Sequence, residues 1–170
     1  MDEPIFYKAE RFFPNEKYEE FSKIHGRVEI VTHDCCLCRV IIDEHLFGDM
    51  EIESIYAGEV KSIEKLLKSP LGESEQIIAY YKNPIENHTH HKLKDGFEFC
   101  GYDLSEEMTH ISAITNCDDF FDKAIPYEKL NKFGLICEHQ EALRIRELLG
   151  ELYPDEEHAE CEVYELWRKL

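Results

Sequence analysis

The sequence predicts an α+β protein: a mainly antiparallel sheet of five to seven strands with three or four helices on one face, in a single domain spanning residues 1–170. Three observations lead there. Apolar residues recur at strand and helix spacings in interspersed segments, with no regular βαβ repeat. The Gly-rich turn that opens a dinucleotide-binding fold is missing. In the second half, two β-rich runs flank the polar Ser105-Glu106-Glu107, as the arms of a hairpin would.

Taken in chain order, "PNEKYEEFSKIHG" reads as the first helix. Pro14 suits a first turn, Tyr18, Phe21 and Ile24 share a face, and Gly26 can take the left-handed conformation that closes it. "RVEIVTH", "CCLCRVII" and "MEIESIYAG" read as three strands. "EVKSIEKLLKSPLG" places Val60, Ile63, Leu66 and Leu67 at helical spacing and stops before Pro70. "QIIAYYKNP" is a short strand ended by an Asn-Pro turn, and Asp95-Gly96 marks the next turn.

"GFEFCGYDL" and "MTHISAITNC" are the hairpin arms, with Gly101 pointing to a bulge or a close backbone approach. "IPYEKLNKFG" reads as a short helix closed by Gly134. The strongest helix signal is "EHQEALRIRELLGELYP", where Ala142, Ile145, Leu149 and Leu152 line one face and Pro154 follows the end. The last segment, "HAECEVYELWRKL", alternates Cys161, Val163, Glu165 and Trp167 against Glu162, Tyr164 and Leu166, the pattern of a terminal strand.

Composition narrows the partners. With 19 basic and 37 acidic residues the formal charge is −18, which repels nucleic-acid phosphates and anionic lipid. The same charge attracts a basic protein or a cation. No apolar run is long enough to span a bilayer, and the acidic start "MDEPIFYKAERFF" is unlike a signal peptide, so a soluble cytoplasmic protein is expected. Seven cysteines without a secretion signal read as reduced thiols, most of them small core residues.

Two clusters bear on chemistry. Cys35 and Cys38 form a C-x-x-C, and His88, His90 and His91 lie about fifty residues on. Together they could close a tetrahedral zinc site. In a strand, however, Cys35 and Cys38 point to opposite faces while Cys36 and Cys38 share one, so core packing is the stronger reading and no cofactor is expected. A redox C-x-x-C would want a helix N-terminus, which the "RVII" run opposes. Cys117 with His110, or Cys100 with a histidine of the 88–91 cluster, would be the pairs of a cysteine nucleophile. Walker, G-x-S-x-G, H-E-x-x-H and EF-hand patterns are missing, which counts against the common nucleotide, hydrolase and metalloprotease classes.

The remaining signal is acidic. "YPDEEHAECEVYELW" carries Asp155, Glu156, Glu157, Glu160, Glu162 and Glu165 alongside Tyr153, Tyr164 and Trp167. Carboxylates rimming aromatic anchors suit the capture of a basic partner, with Tyr153, Asp155, Glu156, Glu157, Glu160, Glu162 and Tyr164 as the binding set. Alternating acids on an exposed strand edge would also resist edge-to-edge aggregation.

"GFEFCGYDLSEEMTHISAITNC", "LNKFGL" and "HAECEVYELWR", within residues 97–168, resemble small uncharacterised bacterial cytosolic proteins, some of them immunity-protein-like. The resemblance implies an α+β protein that binds and neutralises a toxin domain, and it carries no catalytic residue. The expectation is therefore a small acidic intracellular protein that docks a basic protein domain, with zinc binding and cysteine catalysis as the alternatives.

Overall fold

The computed structural model describes residues 6–11, 19, 22–24, 26, 59–60, 75–82, 96–106, 112–114 and 123–170. Five strands form one sheet: β1 (Phe6–Arg11), β2 (Glu59–Val60), β3 (Glu75–Lys82), β4 (Phe97–Ser105) and β5 (Glu162–Lys169). Their spatial order is β2-β1-β3-β5-β4, and every neighbouring pair is antiparallel. Helix α1 (His139–Leu152) and two 3-10 turns, Tyr127–Lys129 and Glu157–Glu160, lie between β4 and β5.

The heart of the sheet is the antiparallel trio β3-β5-β4, to whose outer side β1 and the two-residue β2 add. Among the described residues this trio and its helices make a smaller unit than the expected five to seven strands with three or four helices on one face, and the packing is two-sided. Among the described residues α1 is the one long helix, joined by helical residues at 19 and 22–24 and the two 3-10 turns. Two local causes account for part of the difference. Glu59 and Val60, expected at the start of a helix, instead pair with β1. "IPYEKLNKFG" makes a 3-10 turn and then a tight hairpin, in which the Asn131 side chain takes backbone amides that a helix would have used.

That hairpin is held by one side chain. Asn131 Oδ1 accepts the amide hydrogens of Phe133 (2.8 Å) and Leu135 (3.2 Å), while its Nδ2 donates to the Cys100 carbonyl at 2.7 Å. Gly134, at φ +71°, turns the chain so that Leu130 faces Ile136. Ile136 then exchanges both backbone hydrogen bonds with Tyr102, at 2.8 and 3.0 Å, and covers part of the β4 edge. The close approach needs Gly101. It sits at φ +140° in the bulge where β4 shifts register against β5, and a Cβ there would lie 2.8 Å from both the Ile136 carbonyl oxygen and Leu135 Cβ. The bulge read from the sequence is present.

A second clasp lies further along β4. Asp103, fully buried, accepts from Ser112 Oγ (2.6 Å), Ser105 Oγ (3.0 Å) and the Leu104 amide (2.9 Å). Ser112 Oγ in turn accepts from the Ile114 amide at 3.1 Å, and the Ala113 amide donates to the Leu104 carbonyl. The returning arm is thereby fixed to β4, since a buried carboxylate is tolerated only with such partners.

The core lies on both faces of the sheet. On one side α1 presents Ala142, Ile145 and Leu149 to Tyr102, Leu104, Cys161 and Val163. On the other, Ile78, Tyr80, Cys100, Tyr164 and Leu166 pack with Phe133 and Leu135. β5 is therefore central rather than an edge, paired with β3 on one flank and β4 on the other. Both of its faces are buried from Val163 to Leu166. Strand β1 was not anticipated, whereas β3, β4, β5 and α1 fall where the patterns placed them. The predicted strands across residues 27–57 lie outside the described residues.

Candidate protein-docking surface

Helix α1 positions the acidic surface. Its buried face takes Ala142, Ile145 and Leu149, so Gln140, Arg144, Glu147 and Glu151 point outward along the opposite side. The sequence pattern also assigned Leu152 to the core, yet it is 45% exposed. The helix ends there: the Tyr153 amide closes on the Leu149 carbonyl at 2.9 Å, and Tyr153 packs against the core in place of its neighbour. Pro154 then directs the chain into the 3-10 turn Glu157–Glu160. This turn folds back so closely that a Cβ on Gly150 would meet the Ala159 carbonyl oxygen at 3.2 Å.

Exposed carboxylates collect around that corner. Glu147, Glu151, Asp155, Glu156 and Glu160 are all exposed and surround Leu152 in sequence. Residues 147–160 hold six acidic residues and no Lys or Arg. The arginines on α1 face acids of their own: Arg144 binds Glu141 at 2.7 Å and Arg146 reaches Glu162 at 3.5 Å. The last turn of α1 contains no basic residue, although a helix C-terminus favours positive charge. The carboxylates of residues 147–160 and the helix C-terminus therefore add negative charge at the same end of α1.

The sequence-derived binding set divides between this corner and the interior. Asp155, Glu156 and Glu160 are exposed, Tyr153 is half-buried, and Glu157 begins the 3-10 turn. Glu162 is half-buried and engaged with Arg146. Tyr164 is 1% exposed and meets the Tyr80 ring edge-on at 6.2 Å, so it packs the core. Glu147, Glu151 and Leu152, exposed at the same corner, fall outside the sequence-derived set. The i, i+4, i+7, i+11 spacing of Gln140, Arg144, Glu147 and Glu151 was the available signal.

Inside the sheet, Glu165 is fully buried between Tyr81 of β3 and Tyr102 of β4, which sit in register with it. The Trp167 indole Nε1 donates to its carboxylate at 2.6 Å. The Tyr102 ring lies 5.4 Å from that of His139, which opens α1. Burial first, then the Glu165 and Glu138 carboxylates, holds the Tyr102 hydroxyl above its usual range and keeps it neutral. This cluster ties β5 to its neighbours, while Phe99 packs edge-on between Tyr102 and Trp167.

The thiols near it are poor nucleophiles. Burial pushes Cys100 up to about 12, and burial followed by the Asp103, Glu106 and Glu162 charges raises Cys161 as well. A protonated thiol does not attack, so Cys100 is not an activated cysteine. Cys137 is exposed. Among the described residues no group of three or more His, Cys, Asp or Glu side chains is placed to hold a metal ion. Cys35, Cys38, His88, His90 and His91, the residues of the zinc alternative, lie outside the described residues, as do His110 and Cys117.

Among the described residues no helix is long and apolar enough to cross a membrane. Compared with protein-family models, curated proteins and solved structures, the chain matches none.

Proposed function

We propose that the protein is an acidic binding protein that docks a basic protein domain, such as that of a toxin, and blocks it by occupying its surface. The observation that supports this is the carboxylate corner at the end of α1. Glu147, Glu151, Asp155, Glu156 and Glu160 are exposed on either side of Leu152 in sequence, while Arg144 and Arg146 are engaged by Glu141 and Glu162. Opposite charges steer encounter, and the leucine offers an apolar contact that a purely electrostatic surface would lack. Neutralisation by occupancy requires no bond chemistry from the binder, in keeping with the raised thiols of Cys100 and Cys161.

The test is capture of basic proteins from a native lysate at low salt, followed by binding of the purified chain to a basic nuclease domain. Binding is expected to weaken as salt rises and to be lost in the double variant E151K/E156K. Recovery of no basic protein, with no binding to the nuclease domain, would overturn the reading. Stoichiometric zinc in protein purified without an affinity tag would favour the metal alternative instead.

A further inference from the structure

No further inference is drawn: the strongest candidate, the exposed Leu152 and the carboxylates around it at the C-terminal end of α1, belongs to the surface already described, and nothing in the structure shows what covers it.

Discussion

Gly101 shows how much of this fold depends on a missing side chain. At φ +140° an L-residue is strained, and its Cβ would strike Leu135 and the Ile136 carbonyl at 2.8 Å. G101A should therefore destabilise the protein by ~2–4 kcal/mol, seen as a lower urea midpoint with an unchanged m-value. The cysteines give a second prediction at this scale. In the folded protein Cys137 should react with a thiol reagent at neutral pH, while Cys100 and Cys161 should label only on unfolding. The same burial sets a pH dependence. The Cys100 thiol ionises near 9.0 when unfolded but near 12 when folded, so its favourable contribution is complete below pH 9. As pH rises from 9.0 towards 12 the unfolded chain releases this proton first, and stability should fall. Urea midpoints measured on a C100A background should show a shallower decline across that window.

Asn131 and Glu138 act at the scale of elements. Asn131 satisfies the Cys100 carbonyl and two amides of its own turn, so N131A removes three hydrogen bonds at once. It should cost ~2–3 kcal/mol and speed amide exchange most at Phe133, Leu135 and Ile136. A helix reading of "IPYEKLNKFG" fails for the same reason. Asn competes for backbone groups in the way that favours turns, and Gly134 serves a hairpin as well as it closes a helix. α1 was legible because its apolar stripe extends over several turns, whereas Leu152 was misassigned because periodicity does not register where a helix stops. Glu138 stands at the N-cap without a side-chain capping bond. E138D keeps the charge and shortens the side chain to one that caps well. It should stabilise the protein by ~0.5–1 kcal/mol, visible in thermal denaturation.

For the whole molecule, the sequence specified strand identity better than strand position. The alternating acids Glu160 and Glu162 suggest an exposed strand edge, but no polar residue from Val163 to Leu166 reaches solvent and the strand lies between β3 and β4. Pairing partners are set by contacts far apart in sequence, such as Tyr81 and Tyr102 against Glu165, and a local pattern carries no trace of them. Central placement also removes Tyr164 from any binding surface. With Tyr164 inside, the members of the binding set left exposed are Asp155, Glu156 and Glu160, beside Glu147 and Glu151 of α1. A net charge of −18 by itself would steer any basic partner without regard to face. A docking surface at the end of α1 demands more. E151K/E156K should slow association with a basic nuclease domain by tenfold or more at low salt, while E19K/E128K, with the same change in net charge, should slow it only slightly. The difference should shrink as salt shortens the screening length to a few ångströms. Stopped-flow association rates across a salt series measure both effects. Equal slowing by the two pairs would mean that total charge, rather than the α1 corner, directs the encounter.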